Sequence, residues 1–142
     1  MTTQPDSPSA IVVGIDGSES SMQALGWALR QARLDGRPID AVTAWQYPII
    51  YGWALPSTED YDHRHNAQAM LNAVIADVAG SDPMVTIHDR VVEGHAIRVL
   101  LDAARDAQLL VLGRGGDGSG RTLGSVSQHC TQHSPCPVVV VR

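Results

Sequence analysis

Short apolar, β-branched runs recur along the chain, and segments with apolar residues at helical spacing separate them. The runs are AIVVGID (Ala10–Asp16), IDAVTAW (Ile39–Trp45), MVTIHDRVVEG ending as a strand near Val92, QLLVLG and PVVVV. Near-continuous apolarity over about four to eight residues suits a strand covered on both faces. Between the first two runs, GSESSMQALGWALRQARLDG places Met22, Leu25, Leu29 and Ala32 at helical spacing. Ser18 or Ser20 can cap that helix, and Gly36 sits where it should stop. From about Glu59 to Ala79 a second helix carries Met70, Leu71, Val74, Ile75 and Val78. HAIRVLLDAARDA and SVSQHCTQHS predict two more helices, the last ended by Pro135, and QYPIIYGWALPST predicts a Pro- and Gly-punctuated loop. Strand and helix thus alternate from end to end. Crossovers of this length predict an α/β fold, a Rossmann-like, doubly wound, five-stranded parallel sheet with helices on both faces.

The 142 residues suit one domain over residues 10–142, behind a polar tail, Met1–Ser9, expected to be disordered. A hydrophobic share of 44% against 18% charged residues is that of a globular chain. The net charge of −5 argues against a nucleic-acid partner, which a basic face would attract, and 4% aromatics leave little for base stacking. No apolar run reaches membrane-spanning length, and MTTQPDSPSA lacks the basic start and apolar centre of a signal segment. The only cysteines, Cys130 and Cys136, form no disulfide framework, so a cytoplasmic location is expected.

In a doubly wound sheet, ligands bind beyond the carboxyl ends of the strands, where strand order reverses. GRGGDGSGRTLGS, Gly113–Ser125, falls at such an end, and its first six residues match the dinucleotide pattern G-x-G-x-x-G. That pattern belongs after the first strand, with an acidic residue ending the next one. Here only PVVVV follows, ending in Arg142, so no acid is placed to hold a ribose. A Walker loop is excluded because no Gly-Lys-Ser/Thr follows. What remains is a glycine-rich strand-to-helix turn ending in Gly124-Ser125. Its backbone N–H groups, the Ser125 and Ser127 hydroxyls, Arg114 and Arg121 could hold phosphate oxygens. The alternative is a surface loop with Ser125 as a plain N-cap. Asp16, closing the first strand, is either an acceptor for a nucleoside or a carboxylate set against a helix dipole.

Other constellations point more weakly to chemistry. His129, Cys130, His133 and Cys136 form H-C-x-x-H-x-x-C. Two helical histidines at i, i+4 can chelate zinc, but Cys136 lies beyond Pro135, and no metal site is expected. His63 and His65, two apart, occupy different helix faces. His95 starts the third helix at the ligand edge. Trp45–Trp53 gathers aromatics that cover the site, form a partner patch or fold onto their own helix. No nucleophile, base and oxyanion donor group together, so no catalytic residue is assigned.

The blocks VVGIDGSESSMQALGWAL, VTAW, VVEGHAIRVLLDAARDAQLLVLG, LGSVSQH and SPCPVVVVR resemble the universal stress protein family across essentially the whole chain. The resemblance implies an adenine nucleotide alpha hydrolase-like fold, dimerisation through the last strand, and cytoplasmic expression under stress. Nucleotide-binding members are similar in carrying Gly-x2-Gly-x9-Gly-Ser/Thr after the fourth strand. By that resemblance Ile15 and Asp16 meet the nucleoside, Ala44 lines the adenine pocket, and Leu112 and Gly113 face the adenosine. Gly116, Gly124, Ser125, Val126 and Ser127 hold the phosphates of ATP or another adenine nucleotide, with magnesium. This sequence departs from the pattern in its spacing: residues 117–123, seven in number, stand where the pattern has nine. The implied role is a dimeric stress sensor or regulator with a regulatory protein partner and at most slow ATP hydrolysis. The alternative is a module that binds no nucleotide and acts through protein contacts.

Overall fold

The computed structural model describes residues 9–46, 49–50, 53–54, 60–81, 84–115 and 123–142. In chain order the elements are β1 (Ile11–Gly14), α1 (Glu19–Asp35), β2 (Ile39–Trp45), β3 (Ile49–Ile50), β4 (Trp53–Ala54) and α2 (Asp60–Ala79). Then come β5 (Ile87–Glu93), α3 (Ala96–Ala103) with a 3-10 turn (Ala104–Asp106), β6 (Leu109–Gly113), α4 (Ser125–His133) and β7 (Val138–Val141). Five strands form one parallel sheet in the order β5-β2-β1-β6-β7. The chain winds outward from the centre in both directions, so strand order reverses between β1 and β6. The doubly wound parallel sheet expected from the alternation is the observed one.

Side-chain alternation divides the strands between two cores. Ile11, Val13 and Ile15 from the first strand and its end, with Ile39, Ala41 and Val111, pack under α1 and α2. Val12, Val42, Leu110 and Leu112 pack on the other face with Val99, Leu100 and Cys130 of α3 and α4. The central strands are covered on both sides, which is why their sequences show no polar alternation. Leu25, Leu29 and Ala32 of α1 and Leu71 and Val74 of α2 are buried as their spacing predicts. Of the two candidate caps for α1, Ser18 takes the role: its Oγ accepts from Ser21 N at 3.2 Å. Gly36 ends the helix with its N–H on Ala32 O at 2.8 Å.

The segment after β2, expected as a loop, contains the short antiparallel pair β3 and β4, with Ile49 opposite Ala54 and Ile50 opposite Trp53. Ile49 and Ile50 are β-branched, the residue type that suits a strand. The expectation of a disordered tail falls, Ser9 apart, outside the described residues. Among the described residues no helix is long and apolar enough to cross a membrane.

The two sheet edges differ in chemistry. β5 carries His88, Asp89 and Arg90, and Arg90 pairs with Asp40 of β2 at 3.2 Å. β7 is four valines, each half-buried. Charged side chains discourage further strand pairing, whereas an apolar edge invites it.

One close approach holds α1 against the sheet. A Cβ on Gly113 would stand 2.4 Å from the Ser20 backbone C and O and 2.7 Å from Ser20 Oγ. No side chain fits between the end of β6 and the first turn of α1. Gly113→Ala should therefore destabilise the fold by about 1–3 kcal/mol, the usual cost of overpacking. Chemical unfolding checks this, with Gly26→Ala on α1, where a Cβ meets nothing closer than 3.9 Å, as the control that should not lose stability.

Candidate functional site

At the switch point the carboxyl ends of β1, β2 and β6 open onto a cavity of about 420 Å3, walled by the starts of α1, α3 and α4. Every site residue implied by the family resemblance lines it except Gly116, which lies outside the described residues; Arg114, offered as a phosphate ligand from the sequence, is not among the lining residues. β1 and its extension supply Ile15 and Asp16, and β2 supplies Ala44. β6 supplies Leu112 and Gly113, and α4 supplies Gly124, Ser125, Val126 and Ser127.

The lining has two chemically different parts. Gly14, Val42, Ala44, Ala96, Leu100 and Leu112 make an apolar slot. A Cβ on Gly14 would fall 2.8 Å from Leu112 Cδ2 and 3.1 Å from both Leu100 methyl groups. The two leucines thus occupy the space above Gly14 and end the slot. Ala96 and Leu100 were not singled out from the sequence. They read there as ordinary helix-core residues, and only the crossing of α3 over β2 brings them to the cavity.

The polar part lies between the N-termini of α1 and α4. Gly115, with φ 62°, turns the chain after β6, and Gly124 N–H returns to Arg114 O at 2.9 Å. Arg114 N–H in turn donates to Val141 O at 3.1 Å, tying this turn to the end of β7. Gly124 is the N-cap of α4 and no side chain caps the helix. Ser125 is therefore the first helical residue rather than the cap. Among the described residues no side chain covers the α4 terminus, where the first N–H groups and the positive end of the helix dipole lie. Ser127 is buried, and its hydroxyl donates to Gly113 O at 2.7 Å, locking α4 to β6. The Nε of Arg114 is buried with no hydrogen-bond partner among the described residues.

Asp16 carries the negative charge of the cavity wall. Its Oδ1 accepts from Ser18 N at 2.9 Å and from Ser18 Oγ at 2.5 Å. Burial pushes the Asp16 carboxyl up. The Ser18 hydroxyl, the Ser18 N–H, the Ser21 hydroxyl and its own backbone push it down, and together they prevail, leaving it below the ordinary carboxylate range. The adjoining strand end is fixed by Thr43, whose buried hydroxyl donates to Ile15 O at 2.8 Å.

The remaining candidates stand apart from the cavity. His95 is the N-cap of α3, its Nδ1 accepting from Ile97 N at 3.2 Å. His129 and His133 are exposed neighbours on α4 with ring centroids 5.6 Å apart. Cys130 is fully buried, and burial pushes its thiol up. Cys136 is half-buried, its Sγ 3.5 Å from Pro137 O. Among the described residues no three metal-ligating side chains gather. Most of the aromatic stretch after Trp45, and Arg121 in the glycine loop, lie outside the described residues.

Comparison with known proteins agrees with this architecture. A universal stress protein UspA from Lactobacillus plantarum has the same fold, with a TM-score of 0.79 at 20% identity over 97% of this chain and 100% of that one. A crystal structure of a universal stress protein in complex with cAMP is 26% identical, with a TM-score of 0.62 over 94% of this chain and 97% of the other. A universal stress protein of Mycobacterium tuberculosis is 36% identical over 141 residues, covering 93% of this chain but 47% of its own length. The chain thus spans about half the length of the curated relatives it matches. The profile of the Universal stress protein family matches residues 9–142. With its fold and nearly its full length matched, the chain belongs to the universal stress protein family.

Proposed function

We propose that this chain binds an adenine nucleotide in the switch-point cavity and works as a dimeric stress sensor or regulator, exchanging contacts with a protein partner. One observation carries the reading: a single cavity joins an apolar slot to an uncapped helix N-terminus, with a carboxylate between helix starts at its rim. The slot suits a base, the α4 N–H groups suit phosphate oxygens, and Asp16 suits a sugar or amine donor. The relative held with cAMP, at 26% identity, supports the same ligand class here. ATP, which the family resemblance implies, belongs to the same ligand class. With no cluster of three metal ligands among the described residues, magnesium would be held by the nucleotide's phosphates and by water.

The edge chemistry supports pairing of two copies through β7, whose valines have no charged neighbour on their own strand to discourage it. Protein contacts without nucleotide are the competing reading, and the ligand experiments separate the two.

Thermal unfolding should shift upward with ATP, AMP or cAMP. At a ligand concentration one-hundredfold above Kd the gain is about 2.7 kcal/mol. Asp16→Ala removes a charged acceptor and should weaken binding by roughly ten- to a hundredfold. An unchanged midpoint at millimolar nucleotide sinks the nucleotide reading in favour of the contact-only module.

The low carboxyl of Asp16 has a separate consequence. Its stabilising interactions are fully present above its unfolded value, about 3.9, and are lost as pH falls through the lower folded value. The stability difference between wild type and Asp16→Asn should stay constant from about pH 8 to 5 and shrink below about pH 4, as read by urea unfolding.

Sedimentation at micromolar concentration should give a dimer mass, and Val140→Asp on β7 should convert it to a monomer. A monomeric wild type would remove the dimer from the proposal.

A further inference from the structure

Ser20, which does not cap α1, lines the cavity together with Asp16 and Ser18. Its hydrogen bonding can be followed proton by proton. Asp16 is ionised and only accepts. Ser18 has one hydroxyl proton, and that proton goes to Asp16 Oδ1 at 2.5 Å. The lone pairs of Ser18 Oγ then face Ser21 N at 3.2 Å and Ser20 Oγ at 3.1 Å. With the Ser18 proton committed, the Ser20 hydroxyl must be the donor in the second contact. Ser20 Oγ is left with lone pairs alone for the cavity.

A chain of hydroxyls ending on a carboxylate polarises each member, so Ser20 Oγ is a stronger acceptor than an isolated serine. An acceptor repels phosphate oxygens and attracts a hydroxyl or amine. Its location decides between these two. Ser20 Oγ lies 2.7 Å from where a Cβ on Gly113 would stand, and Gly113 itself follows Leu112 of the slot and receives the Ser127 hydroxyl of α4 on its carbonyl. In a nucleotide the sugar occupies the corresponding place, between base and phosphate.

We propose that Ser20 is a specificity-determining residue that accepts a hydrogen bond from a ribose hydroxyl and so selects ribonucleotides over deoxyribonucleotides. The inference rests on the nucleotide reading above and deepens it. Ser18 acts through Ser20 as a positioning residue, fixing which way the Ser20 proton points.

Calorimetric titration of the full chain with AMP, 2′-deoxy-AMP and 3′-deoxy-AMP tests it. Wild type should bind AMP about five- to tenfold more tightly than at least one deoxy analogue, the range of one well-made hydrogen bond. Ser20→Ala should bind all three alike, at the affinity of the weaker analogue in wild type. Ser20→Thr keeps the hydroxyl and should keep the discrimination. Equal loss for all three ligands in Ser20→Ala, or discrimination that survives the substitution, overturns the role of Ser20 while leaving nucleotide binding intact. Loss of affinity for inosine monophosphate without loss for either deoxy analogue also overturns it, because an amine would then be the group read. Failure of wild type to bind any of the three overturns the nucleotide reading and this inference with it.

Discussion

The contact between the first turn of α1 and Gly113 governs the rest of the site. With no side chain at position 113, the Ser20 backbone comes within 2.4 Å of where a Cβ would stand. That approach brings α1 against the end of β6 rather than β1 alone. The start of α4 is drawn to the same point by the Ser127 hydroxyl on Gly113 O. A single glycine thereby serves as the meeting place of two helix N-termini at the strand-order switch.

Two helix starts in one crevice place two positive dipole ends together, and the structure treats them differently. At α1 the Ser18 side chain takes the Ser21 N–H as a cap, and the Ser18 N–H goes to Asp16. At α4 the cap is a glycine with no side chain to spend. One wall of the cavity consequently accepts hydrogen bonds and the other donates them. The asymmetry arises from side-chain chemistry at two cap positions, within an architecture that would otherwise make the two helices alike.

Much of the fold was legible because the central strands are covered on both faces, which makes their sequences apolar without alternation. The predicted β2 range matches the observed one, and α1 ends where Gly36 stands. The hairpin after β2 was missed because a two-residue strand gives too short a run for any periodicity. Of the site, Asp16 and the Gly124-Ser125 helix start could be placed because strand ends and glycine turns have local signatures. Ala96 and Leu100 could not, since an apolar helix position looks the same whether it faces a core or a cavity. Nor could the choice of Ser18 over Ser20 as cap, because both serines satisfy the same local preference.

By itself, then, the sequence determined the alternation of strands and helices, the parallel sheet that follows from it, and the strand end at which a glycine-rich turn would open onto solvent. Local spacing and turn chemistry suffice for those. Tertiary structure alone decided how the cavity is walled, which serine caps and which faces inward, and in which direction the hydroxyl protons run from Ser20 to Asp16. These depend on distances between elements far apart in the chain and on a count of donors and acceptors, and neither quantity exists until the helices have packed.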